Sequence, residues 1–316
     1  MENKISNNDL HKAHKNKKDE FYTQLSDIEK ELGYYREHFN GKVVFLNCDD
    51  PEESNFWKYF SLNFEYLGLK KLISTHFGNG RPAYKLEIVR DINNDEKINN
   101  LDTIKTKLKQ NGDFRSPECI EILKESDIVV TNPPFSLFRE FVSQLIEYNK
   151  NFVILGNINA LCYKEIFKLF KENKIWLGHS IHSGDREFRV PKDYPLNAVG
   201  NRIDGEGNKY IRVKGVRWYT NLDYKERHED LILYKRYKGN EKDYQKYDNY
   251  DAINVSITKD IPLDYKGVIG VPITFMDKYN PEQFEIIKFR KGEDNKDLCI
   301  NGKCPYFRIL IKNKKL

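Results

Sequence analysis

The chain has 316 residues, 39% hydrophobic, 13% aromatic and 32% charged, with a formal net charge of +5. That length holds one large domain, or a domain with a smaller partner, and no run of about 18 apolar residues is present to span a membrane. The N-terminus lacks an apolar signal core and the five cysteines are scattered, so the expectation is a cytoplasmic protein with reduced thiols.

Residues 1–180 carry 26 Lys+Arg against 27 Asp+Glu, whereas residues 181–316 carry 27 against 21. The basic excess therefore lies late in the chain, where a polyanion would be gripped. Residues 1–19 are polar with a basic cluster between His11 and Lys18, and read as a flexible arm able to lie along phosphates. Residues 20–39 read as a lead-in and an amphipathic helix, with Ile28, Leu32, Tyr35 and Phe39 on one stripe. Residues 42–47 are a buried strand and 55–67 a helix, with a loop containing Cys48, Asp49 and Asp50 between them. A second strand at 70–75 runs into Thr75-His76-Phe77, where His76 reads as structural. Residues 84–89 look like a hairpin insertion and 93–110 a polar, mobile stretch. Gly112-Asp113-Phe114 then precedes a helix at 117–124, with Pro117 suited to its first turn.

Residues 127–131 form a short β-branched run, followed at once by Asn132-Pro133-Pro134-Phe135. Two prolines cannot continue a ladder, since each lacks an N–H and has its φ fixed. After Phe135 a helical period begins, with Leu137, Phe138, Phe141, Val142, Leu145 and Ile146 on one face. Strand, stiff turn and helix thus hold Asn132 and Phe135 at the carboxyl end of a strand, where open α/β sheets bind ligands. An exocyclic amine on a nucleobase is a poor nucleophile because its lone pair is conjugated into the ring. The Asn132 side-chain oxygen and the Pro133 carbonyl, as two acceptors, would favour a pyramidal amine able to attack a methyl group. Phe135 offers a flat face for an extruded base. A plain Pro-Pro connection with Phe135 in the core is the competing reading.

Further strands at 151–156 and 175–177, a helix at 163–171 and a closing segment at 213–220 complete an α/β pattern. Their spacing implies a doubly wound, mostly parallel sheet. From residue 221 the texture changes to interleaved Tyr, Lys, Arg and Asp, including Tyr234, Tyr237, Tyr244 and Tyr247, which can stack on bases while the cations neutralise phosphate. Cys299 and Cys304 lack further ligands for zinc. His179 and His182 lack a third metal ligand and read as a loop pair near the base pocket. No cysteine follows a proline, which excludes cytosine C5 chemistry, and no phosphate-binding Gly-x-x-x-x-Gly-Lys loop appears.

Asn132-Pro133-Pro134-Phe135, Asp19-Glu20-Phe21-Tyr22-Thr23, residues 43–51 ending in Asp49-Asp50-Pro51, and residues 271–284 together resemble the EcoRI-type adenine-N6 DNA methyltransferases. The resemblance covers most of the chain. It implies a Rossmann-like methyltransferase core at 20–220, a smaller target-recognition region at 221–316, S-adenosylmethionine as cofactor and double-stranded DNA as substrate. It places Asn132, Pro133, Pro134 and Phe135 at the catalytic centre. The cofactor would be held by Tyr22 and Thr23, by Asn47, Cys48, Asp49 and Asp50, and by Asp113 and Phe114. Here the loop after the first strand has no glycine, unlike most enzymes of this class. Its two carboxylates would accept hydrogen bonds from the cofactor, or else cap the following helix. A cognate restriction endonuclease acting on the same site, without a stable complex, is an expected companion. Methylation of cytosine N4, RNA or a protein glutamine, and a non-catalytic DNA-binding relative, are the alternatives.

Overall fold

The computed structural model describes residues 21–48, 50–78, 82–92, 97–192, 194–195, 200–289, 297–304 and 308–316. The basic arm at 1–19 and Asp49 lie outside them. Two units of packing emerge: residues up to 157 with 183–222, and residues 158–182 with 223–316.

The first unit opens with α1 (Leu25–Leu32), which tightens at Gly33 into a 3-10 turn (Gly33–Phe39). Ile28, Leu32, Tyr35 and Phe39, the expected stripe, are all fully buried. Then come β1 (Val43–Leu46), α2 (Asn55–Leu62), β2 (Lys71–His76), β3 (Tyr84–Ile88), β4 (Ile104–Lys107), α3 (Pro117–Glu125), β5 (Ile128–Thr131), α4 (Phe138–Glu147) and β6 (Asn151–Asn157). In the second unit follow α5 (Lys164–Lys171) and β7 (Trp176–Leu177). The chain returns to the first unit with β8 (Asp185–Val190), β9 (Arg202–Ile203), β10 (Lys209–Lys214) and β11 (Val216–Thr220).

The sheet of the first unit runs β4-β3-β2-β1-β5-β6-β11. Its centre is parallel, β1 pairing with β2 and β5, and β5 with β6. The flanks are antiparallel: β2 with β3, β3 with β4, and β6 with β11. This is a mixed, Rossmann-like α/β sheet. β1 and β5 are buried along their whole lengths, as parallel strands covered on both faces must be. The Asp127 carboxylate accepts from the Val43 N–H at 2.8 Å and fixes the register at their lower end. Because β1 lies between β2 and β5, strand order reverses there, and the crevice at the carboxyl ends of β1 and β5 is the topological switch point. A separate three-stranded antiparallel sheet, β8-β10-β9, belongs to the same unit.

Two expectations need correcting. The stretch read as mobile contains β4, an edge strand whose four residues are all exposed and which therefore carries no burial signal. The expectation that every cysteine is free also fails: Cys299 and Cys304 form a disulfide across a turn closed by the Ile300–Lys303 bridge.

The second unit adds β12 (Ala252–Asn254), β13 (Val268–Pro272), β14 (Phe284–Phe289) and β15 (Arg308–Asn313), in the sheet order β12-β13-β15-β14. Ile253, Ile269, Val271, Ile309 and Ile311 are buried in it. Among the described residues no helix is long and apolar enough to cross a membrane.

Candidate active site

Asn132 follows directly on β5, and the Pro133-Pro134 pair takes the chain out of the sheet before a 3-10 turn (Phe135–Leu137) leads into α4. Asn132 and Pro133 are buried while Phe135 is half-exposed. The Asn132 Nδ2 group donates to the Phe21 carbonyl at 2.6 Å. A carbonyl can only accept, so this contact fixes which end of the amide is nitrogen. The opposite end, Oδ1, is buried and has no hydrogen-bond partner within the protein. A buried acceptor left unpaired costs about 1–3 kcal/mol, so its retention points to a ligand carrying N–H donors.

The segment holding that amide is itself fixed from several sides. The Phe21 ring meets the Phe135 ring edge-on, at 6.2 Å between centroids. Tyr22 exchanges backbone hydrogen bonds with Arg189 of β8, at 2.8 and 3.1 Å, and the Arg189 guanidinium lies 5.0 Å from the Tyr22 ring centroid. The Thr23 carbonyl accepts from Asn55 Nδ2 at 2.7 Å, tying the segment to the start of α2. Thr23 Oγ1 and Asn47 Nδ2 are buried without partners. Asn47 sits at the end of β1, and Cys48, partly buried, donates weakly to its Oδ1 at 3.6 Å.

Asp50 does not cap α2. Ser54 does, its hydroxyl accepting from the Phe56 N–H at 3.1 Å. The Asp50 carboxylate instead accepts from the Tyr84 hydroxyl at 3.2 Å and pairs with His76 Nδ1 at 3.3 Å. The two rings stack at 4.8 Å with 24° between their planes. Burial, reinforced by the Asp50 and Glu52 carboxylates, pushes the Tyr84 phenol well above its ordinary value, so it remains a donor. His76 and Tyr84 thus hold Asp50 near the carboxyl end of β2, a positioning role that neither position signalled in the sequence.

Asp113 and Phe114 are placed differently from the other expected cofactor residues. The Asp113 carboxylate is gripped by Arg115, with Nε to Oδ1 at 2.8 Å and Nη2 to Oδ2 at 2.7 Å, and this pairing lowers its pKa. Phe114 is buried and packs edge-on against Phe141 of α4 at 5.1 Å. Before them Gly112 adopts φ +76°, and a Cβ there would come within 2.3 Å of the His76 carbonyl, so only glycine lets this turn close on β2. The geometry gives Asp113 and Phe114 structural partners and leaves Asn132, Thr23 and Asn47 with unused polar atoms.

The aromatic expectations for the later region divide similarly. Tyr244 and Tyr247 are buried, and Tyr237 packs on Tyr265 at 4.5 Å. Tyr234 is exposed, as is its neighbour Ile232, which sequence reading passed over because a lone isoleucine carries no signal. His179 and His182 meet edge-on at 5.2 Å within the second unit.

The sequence matches the family model described as adenine-specific methyltransferase EcoRI over residues 9–314. It is 57% identical to the Type II methyltransferase M.EcoRI of Escherichia coli, with 100% of this chain and 99% of that protein covered. It is 44% identical to the Type II methyltransferase M.MpnI of Mycoplasma pneumoniae, over 97% of this chain and 98% of the relative. Identity is 39% to the Type II methyltransferase M.MgeORF184P of Mycoplasma genitalium, over 97% and 99%. No solved structure matches.

Proposed function

Because the chain belongs to the EcoRI family of adenine-specific methyltransferases, we propose that the turn from Asn132 to Phe135 is where it transfers a methyl group to adenine. The protein is an S-adenosylmethionine-dependent enzyme that methylates adenine N6 at specific sites in double-stranded DNA. The single observation that carries the assignment of the site is the Asn132 amide, anchored through Nδ2 with its buried Oδ1 unpaired.

The residues present fit the cofactor, since Thr23 Oγ1 and Asn47 Nδ2 offer unused hydrogen-bonding atoms near the topological switch point, with Tyr22, Cys48 and Asp50 beside them. When bound, S-adenosylmethionine supplies an electrophilic methyl group on a sulfonium. Asn132 Oδ1 accepts one N–H of the adenine amine and the Pro133 carbonyl the other. Both contacts strengthen as the nitrogen becomes pyramidal and positively charged, so they favour the transition state over the ground state. The half-exposed Phe135 ring stacks on the base after it leaves the duplex. The residues after 221, with the 1–19 arm, grip the phosphates and select the site. The enzyme works in the cytoplasm, alongside an endonuclease that reads the same sequence without forming a stable complex.

Methylation-sensitive sequencing of DNA from cells expressing the wild-type and Asn132→Ala proteins tests this. N6-methyladenine at one short motif, absent with the variant, is expected. Full methylation by the variant, or modified cytosine, would overturn it.

A further inference from the structure

The second unit contains a cavity of about 240 Å³, built entirely from its own residues. We propose that it receives one nucleobase of the bound DNA, other than the adenine that is methylated.

Six flat rings line it: Phe170, Trp176, His179, His182, Tyr224 and Tyr279. Their arrangement is braced rather than loose. The Tyr224 hydroxyl donates to the Leu177 carbonyl at 2.8 Å, and His179 meets the Tyr224 ring edge-on at 5.8 Å. The Arg227 guanidinium, buried, lies 3.9 Å from the Trp176 ring centroid. Its charge is already engaged by Asp223 at 3.2 Å and by the Asn173 side-chain oxygen.

Charge narrows the ligand. Glu226, Glu229 and Asp277 also border the space, with Lys278 as the exposed cation. An acid-rich lining disfavours phosphate and favours a group that presents N–H donors. Flat walls with acceptors at the edge suit a nucleobase, and base–aromatic stacking tolerates any base. The volume is below the ~300–1,000 Å³ of sites for drug-sized ligands, which matches one ring system with its sugar and phosphate left outside.

The rim supplies a second, independent observation. Leu231 borders the cavity, and the next residue, Ile232, is 84% exposed, the most exposed large hydrophobic side chain among the described residues. Tyr234 is exposed two residues on, ahead of Lys235 and Arg236. An apolar side chain presented to solvent, between the acids Glu229 and Asp230 and the cations Lys235 and Arg236, in a protein whose substrate is duplex DNA, has the chemistry of a wedge that enters a base step. A base displaced by it would have the adjoining cavity to enter. Residues 276–279, part of a stretch singled out in the sequence without a role, form one wall of it.

The test is a binding cycle on duplexes carrying the protein's methylation site, with each nucleotide other than the methylated adenine replaced in turn by an abasic residue. At one position, wild-type and Trp176→Ala proteins should differ about ten-fold in their response to base loss, within what stacking of one base is worth; elsewhere they should respond alike. Trp57 and Trp218 are buried, so quenching of tryptophan emission by the intact duplex should report Trp176. That quench should vanish both with Trp176→Phe and with the critical abasic duplex. If Trp176→Ala does not fold, His179→Ala serves in the same cycle. Equal responses at every position, or a quench that survives every base removal, would overturn the proposal. Loss of methylation through Asn132→Ala would leave this cycle unchanged, so the two readings fail separately.

Discussion

At Asn132, one hydrogen bond decides what the other end of the amide can do. With Nδ2 committed to the Phe21 carbonyl, rotation of the side chain is suppressed, so in the proposed role Oδ1 would meet the adenine amine without reorganisation. Phe135 is half-exposed, so its value should be functional more than structural. Phe135→Trp and Phe135→Tyr should keep substantial activity, while Phe135→Ala should lose it with little change in melting temperature. A loss of stability near the ~3–5 kcal/mol typical of core Phe→Ala changes would assign the ring to the core. His228 in the second unit makes a different residue-scale prediction. The Asp223 carboxylate, 2.9 Å from Nε2, and Glu282, 3.0 Å from Nδ1, favour the imidazolium, so its pKa is raised above the ordinary 6.5. A raised folded-state pKa means the contribution to stability is present below the unfolded value and is lost as pH rises through the folded one. The side chain is 37% exposed, so solvent screening keeps that contribution small. A ring titration by NMR should show a midpoint above 6.5 that falls towards it in Asp223→Asn; a wild-type midpoint at or below 6.5 would contradict the pairing.

The strand–turn–helix element was the most legible part of the sequence, because its signals are local. Consecutive prolines, a β-branched run before and a helical apolar period after each depend on neighbours within one turn or strand. β4 escaped because an exposed edge strand has no buried face to impose alternation. The edge-on contact of Phe114, an expected cofactor residue, with Phe141 of α4 is set by tertiary packing that no motif displays. Gly156 of β6 shows how the element depends on its neighbours. A Cβ there would lie 2.5 Å from the ring of Phe138, the first residue of α4, and 3.0 Å from that of Tyr219. Gly156→Ala should cost about 1–3 kcal/mol, as overpacking does, and should lower methyl transfer by shifting the start of α4 and with it Phe135. Calorimetric melting alongside the methylation rate checks this; an unchanged melting temperature would show that the rings can yield.

Across the whole molecule, the fold class and the strand, turn and helix around Asn132 could be read from the chain, whereas the partners of that turn could not. Asn132 and Phe21 are 111 residues apart, as are Asp50 and Tyr84 by 34, and only the folded chain brings them together. The charge distribution was legible: the later half carries the basic excess. If that excess grips DNA, affinity should fall steeply and linearly in log–log form with salt as counterions are released; a flat dependence across 50–200 mM (about the range over which such contacts respond) would refute it. The most direct test of the central claim is the single-turnover rate of methyl transfer by Asn132→Ala, with DNA and S-adenosylmethionine affinities measured on the same preparation. The expected rate is lower by about 10²–10³-fold or more, as for loss of a preorganised transition-state contact, with both affinities within a few-fold of wild type. A variant that transfers the methyl group at the wild-type rate would contradict it.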